Sequence, residues 1–154
     1  MFKAYKYRIY PTAPQKELIA KHIGSCRFVY NLALETKTTA YIGSKHNFSA
    51  FDLTKQIPDL KKECPWLKEV NSQSLQQSIH NMDSAFKSFF KGAGFPKFKS
   101  KHKGSQSFSV PQGVEIKDGV LSIPKFREGI QMSLHRPIKG VIKSATVSTT
   151  PTGK

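Results

Sequence analysis

The chain has 154 residues, 25 Lys plus Arg against 10 Asp plus Glu, and a formal net charge of +15. That length suits one ordinary domain, or two small intertwined ones, with its own core, and the excess charge calls for a polyanion to neutralise it. It lacks the long apolar span or broad-faced basic amphipathic helix of a membrane protein, and the N-terminus lacks the apolar stretch of a signal peptide, so a cytosolic, cytoplasmic location is expected.

Tyr5, Tyr7 and Ile9 alternate with Lys6, Arg8 and Tyr10, which predicts a half-buried strand over Lys3 to Tyr10, ended by Pro11. Thr12-Ala13-Pro14-Gln15 has the hydroxyl, early proline and following Gln of a capping box. It predicts a helix carrying Leu18, Ile19, Ile23, Cys26 and Tyr30, ending around Tyr41 to Gly43. A second helix is expected over Ser49 to Ile57, with Phe51, Leu53 and Ile57 as apolar contacts and Pro58 as terminator. Cys64-Pro65-Trp66-Leu67 reads as a turn with one buried aromatic.

From Asn71, the spacing of Leu75, Ile79, Met82, Phe86 and Phe89 or Phe90 predicts a helix with one apolar stripe. Gly94, Pro96 and Gly104 then break helical runs. Strands are expected at Ser107 to Val110, Val114 to Lys117, Val120 to Ile123, Ile130 to Leu134 and Val141 to Thr149. Asp118-Gly119 is a primed-turn dipeptide joining the second and third of these. Thr150-Pro151-Thr152-Gly153-Lys154 resembles a hairpin turn with no returning strand, which suggests a fragment.

A lone N-terminal strand needs a sheet to join. The expected fold class is therefore α+β: a small antiparallel β-barrel interrupted by a helical insertion. The expected division is residues 1–11 for the first barrel strand, 12–103 for the helical insertion with a basic tract at its end, and 104–154 for the remaining strands.

Between Asp83 and Glu115 there is no carboxylate, while Lys87, Lys91, Lys97, Lys99, Lys101 and Lys103 interleave with Phe86, Phe89, Phe90, Phe95 and Phe98. A solvated helical face ordinarily carries compensating acids. In an extended, proline-stiffened run, Lys97, Lys99 and Lys101 project to one side and Phe98 to the other, a comb suited to phosphates. Phe86, Phe89 and Phe90 read as core residues, whereas Phe98 either anchors the loop or stacks on a base. Lys6 and Arg8 on the first strand, Arg27 in the first helix, and Gln73 and Gln76 on a polar helix face beside Gln77, His80 and Asn81 are further candidates. For each of these, solvated surface is the competing reading.

The acids are scattered and mostly lie beside lysines, the five histidines lack metal-ligand spacing, and no Gly-rich phosphate loop precedes a helix. Cys26 and Cys64 are far apart in sequence and read as reduced, buried thiols. No catalytic residue, metal ligand, cofactor or small-molecule substrate is assigned.

The runs Ala4-Tyr5-Lys6-Tyr7-Arg8-Ile9-Tyr10-Pro11-Thr12, Cys26-Arg27-Phe28-Val29-Tyr30-Asn31 and Gly94-Phe95-Pro96-Lys97-Phe98-Lys99-Ser100-Lys101 together resemble the N-terminal part of the TnpB (OrfB) proteins of insertion sequences. Pro65-Trp66-Leu67 and Ser72-Gln73-Ser74-Leu75-Gln76 fit the same pattern. The resemblance implies a transposase-related, RNA-guided DNA endonuclease family akin to type V CRISPR effectors. It further implies a wedge-type β-barrel and a helical recognition lobe that hold guide-type RNA and target DNA. In such proteins a RuvC-like nuclease domain and a four-cysteine zinc ribbon follow, and these 154 residues end before the first nuclease acid. Two rival readings stand beside it: a sequence-specific helix-turn-helix DNA-binding region, and a degenerate remnant without function.

Overall fold

The computed structural model describes residues 3–102 and 106–150. The Thr12 hydroxyl accepts from the Gln15 amide while the Gln15 side chain accepts from the Thr12 amide, and this reciprocal cap starts helix α1, Ala13–Ser44. At 32 residues α1 runs unbroken until Lys45 turns left-handed at φ 58°. Helix α2 covers Ala50–Thr54 and α3 covers Ile57–Glu63, followed by a 3-10 turn at Pro65–Glu69 and helix α4, Ser72–Phe90, capped by Asn71.

The single helix expected over Ser49 to Ile57 is thus two. Pro58 starts the second instead of ending the first, because a proline in a first helical turn removes only an amide that has no intrahelical partner. Leu53 and Ile57 are buried as expected, but Phe51 is exposed, with the Lys55 ammonium 4.3 Å above its ring. In the Pro65–Glu69 turn the buried residue is Leu67; Trp66 stays half exposed and meets Phe28 edge-on at 5.0 Å.

Strands β1 (Ile9–Tyr10), β2 (Gln106–Val110), β3 (Glu115–Lys117), β4 (Val120–Ser122), β5 (Ile130–Met132) and β6 (Ala145–Thr149) form two antiparallel sheets. One has the order β1-β5-β4-β3, and the other is the pair β2-β6. β1 does join the C-terminal strands, through Ile9 opposite Met132 and Tyr10 opposite Gln131. The expected barrel is nevertheless wrong. Among the described residues no ladder links the two sheets, since β2 pairs with β6 along its whole length and not with β3. Strands of two or three residues in the larger sheet offer too few backbone groups to curl and close it.

The expected first strand is also shorter. Residues 5–7 keep the alternation, with Tyr5 and Tyr7 half-buried and Lys6 exposed. Side chains rather than a ladder hold them: the Tyr7 hydroxyl donates to the Arg136 carbonyl at 2.7 Å, and the Arg136 guanidinium lies 4.4 Å over Tyr5.

Asp118 and Gly119 turn β3 into β4 with φ values of 53° and 74°, the mirror-image turn the dipeptide predicts. Gly129 is constrained more severely. Its φ is +72°, and a Cβ there would stand 2.4 Å from Val120 Cγ1. Gly129→Ala is therefore expected to destabilise the fold by about 1–3 kcal/mol through backbone strain and overpacking, read as a lowered urea midpoint.

The core lies where α1 packs on α4 and both meet β2. At its centre the fully buried His22 ring packs against both Phe108 and Phe126, at 4.8 and 5.2 Å, and those two rings stack on each other at 6.4 Å. Its Nδ1–H donates to the Leu18 carbonyl, and its Nε2 accepts from the Asn71 amide at 3.1 Å. This bond uses the neutral ring, and burial lowers the imidazole pKa from its ordinary 6.5, with the Leu18 bond opposing and the nearby Lys125 charge assisting. An unfolded His22 takes up its proton near pH 6.5, before the folded one does. Stability should therefore be complete above that pH and fall as the pH drops toward the lowered value, a loss that His22→Gln should reduce in urea titrations at pH 8 and pH 5.

Candidate nucleic-acid interface

The basic tract leaves α4 at Lys91, turns at Gly92 with φ 106°, buries Pro96 and crosses α1 at Asn31. There the Asn31 side-chain amide holds the Lys99 backbone in both directions. Its Nδ2 donates to the Lys99 carbonyl at 3.0 Å, and its Oδ1 accepts from the Lys99 amide at 2.8 Å. A side-chain amide can satisfy both main-chain groups of an extended residue at once, so the tract is fastened although it belongs to no sheet.

Beyond the clasp, Gln106 of β2 donates to the Ser100 carbonyl at 3.0 Å and accepts from Arg27 Nη1 at 3.2 Å. These contacts enclose a cleft of about 250 Å³. Ile23, Cys26 and Arg27 of α1 form one wall, Ser78 and Asn81 of α4 a second, and Phe98 to Ser100 with β2 the remainder. Phe98 stands at the cleft with 60% of its surface exposed, so it does not anchor the loop by burial.

Lys99 does not project as a simple tooth of a comb. Its ammonium lies 4.4 Å over the Tyr30 ring, where burial lowers its pKa and the Cys26 thiol opposes that shift. Burial raises the Cys26 pKa in turn, with a Ser78 hydrogen bond and the Lys99 charge acting the other way. Lys99 as a whole is still exposed, as are Lys97 and Lys101 on either side.

The other sequence candidates are spread over the molecule. Lys87 is exposed but paired with Asp83 at 3.2 Å, so a carboxylate at the edge of the acid-free stretch partly neutralises it. The same Asp83 accepts from Lys37 at 3.1 Å; that buried lysine also donates to the Phe48 carbonyl at 2.7 Å. Lys91 is exposed at the end of α4. Gln73 is half-buried and Gln76 exposed in the first turns of α4, away from the Arg27 cleft lining, which α4 supplies through Ser78 and Asn81. Lys6 lines a separate cleft of about 440 Å³ between the N-terminal segment and β6, and the Arg8 guanidinium rests 5.4 Å over Tyr10. Lys103 and the Pro151 to Lys154 turn lie outside the described residues.

Asn81, on the polar helix face noted in the sequence, and Gln106 line the cleft, while Tyr30 and Asn31 hold Lys99 beside it; sequence reasoning does not single out Tyr30, Asn31 or Gln106 as binding residues. Asn31 and Tyr30 sit in the Cys26 to Asn31 run, but nothing local announces that they meet residue 99. Among the described residues no group of three or more His, Cys, Asp or Glu is placed to hold a metal ion, and no helix is long and apolar enough to cross a membrane.

Comparisons with known proteins bear on this interface. A family described as "Helix-turn-helix domain", of the OrfB type, matches residues 1–45. In the structure those residues carry β1 and the unbroken α1, so any second helix of such a pair comes from beyond residue 45. Two relatives bear the name "Putative RNA-guided DNA endonuclease". One, from Streptomyces pristinaespiralis, is 32% identical over 150 residues, covering 95% of this chain and 37% of the relative. The other, InsQ of Escherichia coli (strain K12), is 31% identical over 151 residues, with the same coverage of 95% and 37%. A shorter relative, virulence protein VsdF of Salmonella dublin, is 37% identical over 116 residues, 66% of this chain and 96% of VsdF. The chain thus spans 37% of the length of the two longer relatives. By sequence the chain is homologous to the TnpB/OrfB-like RNA-guided DNA endonucleases, and its residues 1–45 match the helix-turn-helix region of the OrfB type.

Proposed function

We propose that the face formed by α1, the 94–102 tract and β2 holds guide-type RNA and its DNA target by contacts to phosphates, while the cutting chemistry resides in parts of such proteins that these residues do not supply. One observation carries the proposal: Arg27 of α1 meets, at one cleft, the neighbouring Phe98 and Lys99, which lie far along the chain in a stretch with no carboxylate between Asp83 and Glu115. Two cations beside an exposed ring suit a nucleotide, whose phosphate and base require both kinds of partner. Lys97 and Lys101 stand exposed on either side of Lys99 in the same tract.

The test is a salt titration of binding to a structured RNA, an RNA–DNA hybrid and a DNA duplex. Tight binding at low salt, weakening linearly in log affinity against log salt and favouring the RNA-containing ligands, is expected. Failure to bind any of them at low salt overturns the proposal. The helix-turn-helix match favours a second reading, in which the chain reads one duplex sequence. That reading requires one duplex to survive excess random competitor, with RNA-containing ligands bound no better.

A further inference from the structure

The apolar stripe of α4 is buried through Leu75, Ile79, Met82 and Phe86, and then it leaves the core. The last helical turn and the following loop carry Phe89, half-buried, Phe90, 59% exposed, and Phe95, 48% exposed. These rings form one contiguous group on the buried Phe86. Phe95 meets Phe86 and Phe89 at 5.5 and 5.1 Å, each with planes 80° apart, and Phe90 meets Phe89 at 5.5 Å. Folding accounts for Phe86, and for Phe95 as the ring that ties the tract to the end of α4. It gives no reason for large aromatic surfaces at Phe90 and Phe95 to face water.

The surroundings state what such a surface suits. Lys91, Lys97 and Lys101 are exposed nearby in sequence and make no ion pair among the described residues, and no acid lies between Asp83 and Glu115. Aromatic faces set among unpaired cations match a ligand that offers flat apolar rings on a polyanionic chain. In a duplex both faces of each base are already covered, so only unpaired bases can use them. Resting on the phosphate-binding reading above, we propose that Phe90 and Phe95 form a stacking platform for unpaired bases of a single-stranded segment, with Lys91, Lys97 and Lys101 holding its phosphates. The platform is distinct from the Arg27 cleft and adds a part of the affinity that salt does not remove.

Phe90→Leu and Phe95→Leu, singly and together, keep apolar bulk but remove the rings. With the intact chain and a single-stranded mixed-sequence RNA oligonucleotide, removal of each stacking ring should weaken binding about 5- to 150-fold. The salt slope should stay unchanged, and so should affinity for a blunt DNA duplex. An abasic oligonucleotide of the same length should bind the unaltered chain more weakly and ignore the substitutions. Thermal melting of each variant verifies the fold; Phe90, which no other element covers, serves alone if the Phe95 variant melts early. Unchanged oligonucleotide affinity in a folded Phe90→Leu chain with a normal salt slope overturns the platform and leaves the phosphate reading standing. No binding of any strand by the unaltered chain overturns both. Vesicles of anionic phospholipid bound in a Phe90-dependent way, with oligonucleotide binding indifferent to the substitutions, assign the surface to lipid and likewise overturn the platform.

Discussion

Asp83→Ala is expected to cost about 3–5 kcal/mol of folding stability, because it strands the Lys37 ammonium inside the protein. The Lys37 side chain is only 6% exposed, and the Asp83 carboxylate, 13% exposed, is its one counter-charge among the described residues. Burial by itself pushes the Asp83 carboxyl up, but hydrogen bonds and charge from Lys37 and Lys87 outweigh it and hold the pKa below the ordinary 3.8. Its contribution is therefore complete above pH 3.8 and lost as the pH falls below it. Lys87→Ala, which removes the 74% exposed partner, should cost at most about 1 kcal/mol. A double substitution, Lys37→Met with Asp83→Leu, should be less damaging than Asp83→Ala alone, since it leaves no orphaned charge. Chemical denaturation of the four chains reads these differences directly; equal losses for Asp83→Ala and Lys87→Ala would refute the buried-pair account.

Replacing Lys97, Lys99 and Lys101 together by Ala should reduce the steepness of the salt dependence by about 2 to 3, at about 0.7–0.9 for each phosphate no longer neutralised. Wild-type and variant affinities should differ most at low salt and converge as salt rises. If only net charge mattered, three exposed lysines taken elsewhere, such as Lys16, Lys62 and Lys117, would serve equally well as targets. Equal slopes for the two triple variants would assign binding to diffuse charge and remove the tract from its central position. Asn31→Ala provides a third arm. It deletes both bonds to the Lys99 backbone without changing charge, so it should weaken binding while leaving the low-salt slope nearly intact.

What is legible in the sequence follows the range of the physics involved. The Thr12–Gln15 cap, the Asp118-Gly119 turn and the α4 stripe depend on residues within a few positions of one another, and each is readable at its place. Pro58 misleads because proline both ends helices and begins them, and the choice rests on whether Ile57 to Glu63 has a core to cover. The barrel fails for a different reason. Alternation marks a strand but does not name its neighbour, so nothing in β2 shows that it pairs with β6. The candidate interface divides in the same way. The lysines are visible as a run and the Lys87–Asp83 pair as a local i,i+4 contact, whereas the Lys37–Asp83 pair, the Lys99–Tyr30 contact and the Arg27–Gln106–Ser100 chain join residues that only the folded backbone brings together. Composition also cannot separate Phe86 from Phe90, one buried and one exposed four residues later on the same helix.

The Asn31 clasp bears on how fast a ligand can be captured. An unfastened lysine loop would have to surrender about 1–2 kcal/mol of conformational entropy for each residue it immobilised on arrival of a polyanion. With the Lys99 main chain already fixed on α1, much of that ordering is complete beforehand. Capture at this tract should then be set by diffusion and charge rather than by loop rearrangement, so loosening the clasp should appear first as a slower association rate.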